Sequence, residues 1–265
     1  MKRNTLWSWL WIVLGILYFF LPLYATLAFS LKAKRDVLSL VAYQNVFKDP
    51  EFLKSFTFST RMAVLTIIAS ILIIVPTAYW VQLRLPRLRP VVEFITLMPF
   101  VVPAIVLVFG LIRLYSHPLI PGTQFTLVST SALLVAGYVV MSFPYMYRAV
   151  DTGLRAIDVR TLTEAAQSLG ADWPTILFRV IIPNLRVALL SGAFLTFAIV
   201  IGEYTLAAFL AWPAFGFYMQ LLGANRAYEP AALAIISFAL TWGSMGIIQW
   251  LARQAPGQAQ LGGAR

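Results

Sequence analysis

Glu164-Ala165-Ala166-Gln167-Ser168-Leu169-Gly170, followed thirteen residues later by Pro183, is the stretch around which the rest of the chain is arranged. It lies in a polar interval, residues 148–186, between two long apolar segments. Thr161 and Glu164 stand at the spacing of a capping box, which predicts a helix start there. Ala165 and Ala166 favour helix and carry almost no bulk, so another surface can approach the backbone closely. Gly170 is placed to end the helix in a left-handed conformation. Asp172 can cap a second short helix with Pro174 in its first turn, and Pro183 is expected to break that helix before the next apolar segment. A short helix, a tight turn and a second helix beside a bilayer make a docking surface.

The membrane enters through composition. Of 265 residues, 60% are hydrophobic and 11% charged. A soluble domain carries about a quarter charged residues. No single soluble core hides this much apolar surface, so the solvent is lipid. The expected fold is all-α: one polytopic transmembrane domain over 1–265, with about six spans and no internal repeat. Apolar runs place the spans at 7–31, 62–83, 94–112, 127–147, 187–211 and 231–251. The first follows Lys2-Arg3 but is too long for a signal peptide and lacks a convincing cleavage site, so it is read as retained. The polar interval 32–60, with Tyr43, Phe47, Phe52 and Phe56, predicts a short interfacial helix outside. Arg84, Arg87 and Arg89 form a short basic turn that points inward, which puts both termini in the cytoplasm. Pro99 and Pro103, four apart in the third span, should kink or unwind it beside a cavity. Residues 116–124 and 212–230 are then external, the latter holding a short helix near 215–222 and the anchors Trp212, Phe215, Phe217 and Tyr218. The tail from Arg253 is internal.

Other readings are excluded on chemistry. The net charge of +10 comes from arginines at the edges of apolar spans, where topology signals and anionic headgroups account for it, and nucleic acid is not implied. The chain has no cysteine and one histidine, His117 in a Ser-His-Pro loop, so no metal site or catalytic residue is assigned. No phosphate-cradling G-x-x-x-x-G-K-[ST] sequence occurs. An intramembrane enzyme would need clustered Asp, Glu or His at membrane depth, and Glu203 stands alone there.

Glu164-Ala165-Ala166, Gly170 and Val180-Ile181-Ile182-Pro183 resemble the EAA loop of bacterial ABC-importer permeases, with Val180 and Ile182 as aliphatic replacements. That resemblance implies a cytoplasmic coupling-helix loop over 148–186. Glu164, Ala165, Ala166, Leu169, Gly170 and Pro183 are its ATPase-coupling residues. It implies cytoplasmic ABC ATPase subunits, two per complex, that carry the ATP and Mg while this chain holds no cofactor. It also implies a second permease subunit, homologous or identical, an external substrate-binding protein and a place in the bacterial inner membrane. Transport would proceed by alternating access without covalent chemistry. Leu169-Gly170-Ala171 looks like the branch that carries polyamines, iron(III), thiamine and oxyanions or phosphonates, and is most similar to spermidine/putrescine permeases. Glu203 in Gly202-Glu203-Tyr204 carries two readings: with Tyr204, Pro99 and Pro103 it is a pathway or gate candidate, or it is a structural carboxylate held between helices.

Overall fold

The computed structural model describes residues 5–34, 37–117 and 126–253, which are helical with no sheet among them. Lys2-Arg3, most of the expected turn at 116–124 and the tail beyond Arg253 lie outside the described residues. In chain order, α1 (Thr5–Ser30), α2 (Val41–Lys48) and α3 (Pro50–Leu83) precede a 3-10 turn (Pro86–Leu88), α4 (Arg89–Val101) and α5 (Ala104–Tyr115). A second 3-10 turn (Leu127–Ser129) leads into α6 (Ser131–Arg155), then α7 (Val159–Ser168). α8 (Trp173–Thr175), a π-helical stretch (Ile176–Ile181) and α9 (Ile182–Asn184) lead to α10 (Arg186–Gly202). α11 (Thr205–Phe209), α12 (Phe215–Asn225) and α13 (Glu229–Arg253) complete the order.

Among the described residues, three helices are individually long and apolar enough to cross a membrane: the Trp9–Ser30 part of α1, α3 and α6. Two further candidate spans are bent pairs, and α13 covers the expected sixth. The protein is thus all-α and polytopic, but three expected spans take a different form. The second does not begin at Met62. Pro50 opens α3, where a missing N–H leaves no bond unmade, and the Asp49 carboxylate accepts the Glu51 N–H at 3.0 Å. The resulting 34-residue helix is about 50 Å long against a hydrocarbon core of about 30 Å. The third is two helices of 13 and 12 residues meeting at 102° rather than one kinked helix. Val102, which precedes Pro103, is driven to an extended conformation (φ −84°, ψ 116°), while Pro99 stays inside α4. The fifth ends early: α10 stops at Gly202, Glu203 is extended, and α11 is a separate helix.

Contacts group the chain into two compact units. One comprises Met1–Lys54 with Tyr218–Gly243. Its α1 is apolar on every side and bare, with Trp11, Tyr18 and Phe19 all exposed, which suits lipid and no other solvent. Ser30 Oγ and Tyr43 Oη hydrogen bond at 2.8 Å, Phe29 stacks on Tyr228, and Asn45 donates to Glu229 at 3.0 Å. α2 is the expected short helix of the polar interval.

The other unit comprises Ser55–Phe217 with Ser244–Arg265. Here α6 packs against α10. A Cβ on Gly192 would come within 2.7 Å of Met146 Sδ, so the glycine sets how closely the two helices approach. One buried cluster joins Val75 and Tyr79 of α3 to Met146, Val150 and Leu154 of α6, Val159 and Ala166 of α7, Ile176 and Ile181 of the π stretch, and Leu189 of α10. A second gathers Met62, Val108, Leu134, Tyr138, Val200 and Leu206. The polar interval is therefore part of the core.

Candidate functional site

The helix that carries Glu164 starts earlier than the capping-box spacing predicts. Its N-cap is Asp158, whose Oδ1 accepts the Thr161 N–H at 3.0 Å and whose Oδ2 accepts the Thr161 hydroxyl at 2.7 Å. Those two bonds, the backbone one foremost, hold the Asp158 carboxyl below the usual range. Thr161 is thus capped rather than capping. Glu164 points outward and pairs with Arg160 at 2.8 Å, both side chains exposed. The far end of α7 follows expectation. Gly170 has φ +80°, its N–H donates to Gln167 O at 2.9 Å and the Ala171 N–H donates to Ala166 O at 3.0 Å, the bond pair of a Schellman end. Asp172 then caps α8 by accepting the Thr175 N–H at 3.1 Å, with Pro174 in the first turn.

The two faces of this loop differ sharply. Val159, Thr163 and Ala166 are buried in the core, whereas Glu164, Ala165 and Gln167 face out and Leu169 is 89% exposed. The expected break before the next apolar segment is present, two residues past Pro183: Pro183 lies in the first turn of α9, directly after the π stretch, and the chain bends by 78° at Leu185. Pro183 also joins the wall of an open cavity of about 860 Å³, with Leu97 of α4, Tyr145 and Arg148 of α6, and Arg186 and Ser191 of α10.

Glu203 is 7% exposed, and both its oxygens are engaged: Oε1 and Oε2 accept the Leu206 N–H at 2.9 and 3.0 Å, and Oε2 also accepts from Ala207 at 3.4 Å. It caps α11. Tyr204 is partly exposed and stacks on Phe217 at 6.2 Å. Pro99 borders a smaller apolar cavity of about 350 Å³ with Val102 and Met141, a lining that includes neither Pro103 nor Glu203 nor Tyr204, and Pro103 is the N-cap of α5. α11 ends at Ala211, a non-glycine residue with φ +58°.

Several residues escaped sequence reasoning. Arg89, read as a topology signal, grips Asp151 through two bonds of 3.1 Å and Glu93 at 3.0 Å. Arg155 closes the group, 2.6 Å from Asp151. Tyr79 of α3, 1% exposed, hydrogen bonds to Thr163 of α7 at 2.9 Å. Trp173 packs on Trp80 with centroids 4.6 Å apart. The charges of the ionic group were visible in the sequence, but Arg89 and Asp151 lie 62 residues apart and nothing local pairs them.

A family model described as the binding-protein-dependent transport system inner membrane component matches residues 74–254. The molybdenum transport system permease protein ModB of Azotobacter vinelandii is 30% identical over 57% of this chain and 70% of its own length. A probable molybdenum ABC transporter permease protein of Haloferax volcanii is 31% identical over 60% of each. The spermidine/putrescine transport system permease protein PotB of Escherichia coli is 24% identical over 72% of this chain and 73% of its own length. Among solved structures, a bacterial ABC transporter involved in the import of alginate superposes with a TM-score of 0.69 at 14% identity, covering 97% of this chain and 98% of that one.

Proposed function

The chain belongs to the family of binding-protein-dependent transport system inner membrane components, and on that premise we propose that it is the membrane-spanning subunit of an ATP-driven importer. α7 and the Gly170 turn form the seat for a separate cytoplasmic ATPase subunit, which carries ATP and Mg. The observation that carries this reading is the division of the loop: Val159, Thr163 and Ala166 sit in the core while Leu169 stands bare. A second permease subunit and an external binding protein complete the complex, and both termini lie in the cytoplasm. Closure of the ATPase pushes on α7, and the membrane helices switch the pathway from outward to inward access.

The cargo is a small polar solute. The sequence reading favours a polyamine such as spermidine or putrescine. A second reading, an oxyanion, is supported by two observations: relatives named for molybdenum are 30–31% identical, and Arg148 and Arg186 line the large cavity beside α10. Uptake of labelled spermidine, molybdate and sulfate by vesicles holding the complex, each with its binding protein, separates the readings. ATP-dependent uptake of any one supports the importer and selects its cargo. Failure of the purified chain to capture any ABC ATPase subunit would overturn the reading.

A further inference from the structure

We infer that Tyr79 is a positioning residue for coupling, and that the push of the ATPase enters the membrane through α3 as well as through α10. The inference rests on the proposed role of α7 as the ATPase seat.

Two routes lead from α7 into the spans. The route along the chain passes the Gly170 turn, three residues of α8, a π stretch and a 78° bend at Leu185 before α10 begins. Each of those is an irregularity at which a push can be absorbed as a change of backbone angle. The second route crosses through space. Thr163 lies on the inward face of α7 and is 2% exposed. Its hydroxyl donates to Val159 O at 2.7 Å, so its proton is committed and Tyr79 is the donor in the 2.9 Å bond between them. One residue on, Trp80 packs against Trp173 at 4.6 Å, and Arg84 lies 6.0 Å from the same ring. The Tyr79 ring itself meets Trp173 edge-on at 6.1 Å. One end of α3 is thus clamped to both helices of the loop, by a buried hydrogen bond on one side of the Gly170 turn and by aromatic packing on the other.

What reaches Tyr79 enters a long helix. α3 continues as one helical element past Pro76, which leaves one backbone bond unmade, whereas the third and fifth spans are broken outright at Val102 and Glu203. A displacement imposed near Tyr79 is therefore passed into a span by a shorter path than the one through the loop. The clamp is also selective by chemistry. A buried hydroxyl pair holds one register between two helices, since a shift by one residue would leave the Tyr79 hydroxyl buried without a partner, whereas aliphatic packing alone would tolerate sliding.

The test uses the complete complex in vesicles and reads solute transported per ATP hydrolysed. Tyr79→Phe keeps the ring and removes the donor. It should leave complex assembly intact and lower the transport-to-hydrolysis ratio about fivefold, the factor carried by one hydrogen bond of ordinary worth. Thr163→Val should lower the ratio similarly, the double variant no further than either single one, and Thr163→Ser, which keeps the hydroxyl, should restore it. An unchanged ratio in both Tyr79→Phe and Thr163→Val would overturn the inference. So would strictly additive losses, because the residues would then act separately. Leu169→Asp, on the outer face, separates this failure from that of the underlying reading. If it disrupts ATPase binding while Tyr79→Phe couples normally, only the α3 route is wrong. If it leaves ATPase binding intact, the seat itself is misplaced.

Discussion

α7 and α11 are built on the same plan in different surroundings. Each has a carboxylate accepting N–H groups at its start, Asp158 for α7 and Glu203 for α11. Each ends in the same pair of backbone bonds around a left-handed residue: Ala171 N–H to Ala166 O and Gly170 N–H to Gln167 O in one, Trp212 N–H to Ala207 O and Ala211 N–H to Ala208 O in the other. The first helix is exposed to water along one face. The second lies in the fifth apolar segment, and its cap is buried. The same device therefore carries unequal weight. Water replaces a lost cap at the surface, whereas nothing replaces one in the interior.

The largest expected effect follows from that inequality. Glu203→Leu strands the Leu206 and Ala207 N–H groups, at roughly 1–3 kcal/mol for each buried donor. The thermal midpoint of the purified complex should fall markedly, while Glu203→Gln, which keeps a carbonyl acceptor, should fall much less. Equal melting of both variants and the parent would mean that the α11 cap bears no load, and the contrast with α7 would collapse.

Gly170→Val comes next. At φ +80° a side chain costs about 1–2 kcal/mol. Nothing lies within 4 Å of the added Cβ inside this chain, so the protein should still insert and assemble its core while uptake is lost. Wild-type uptake in Gly170→Val vesicles would show that the turn needs neither its conformation nor its bare surface.

Glycine also explains which of the two helices could be read in advance. Gly170 announces a left-handed end, and the structure bears that out. Ala211 takes the same conformation without announcing it, and the segment 187–211 therefore read as one span. The break at Glu203 is similarly silent, because Gly202-Glu203-Tyr204 contains no proline and the carboxylate acts on residues further along. At Val102 the signal was present: two prolines foretold an interruption, but the 102° turn depends on how α5 packs, which no local pattern states. The buried face of α7 was hidden for another reason. Thr163 and Tyr79 are polar residues 84 positions apart, and only folding shows that each satisfies the other.

Smaller effects sharpen the comparison. Ala211→Gly should stabilise the protein by about 0.5–1 kcal/mol, since the left-handed strain relieved exceeds the backbone entropy that glycine adds to the unfolded chain. A gain in melting temperature supports this, and a loss would mean that the alanine methyl is needed for packing.

Acid should act on the surface caps. Asp158 and Asp172 have their folded carboxyl pKa lowered, chiefly by the Thr161 backbone N–H and by Thr175 respectively. Their contribution is complete above the unfolded Asp pKa of about 3.9 and is lost as pH falls through the lower folded value. Hydrogen exchange in α7 should accelerate slightly below that point, beyond the intrinsic pH effect on exchange, and Asp158→Asn should remove the pH dependence while still capping. The same profile in parent and variant would assign the acid sensitivity elsewhere.

The central claim, that the outer face of α7 and its turn seat an ATPase, can be tested directly because the chain contains no cysteine. Leu169→Cys supplies a single thiol at a highly exposed position of the loop. In vesicles that present the cytoplasmic face, an impermeant maleimide should label it rapidly in the permease alone and hardly at all once the ATPase subunit is bound. Labelling from the external face of intact cells, or labelling that is unchanged by the ATPase, would contradict the account.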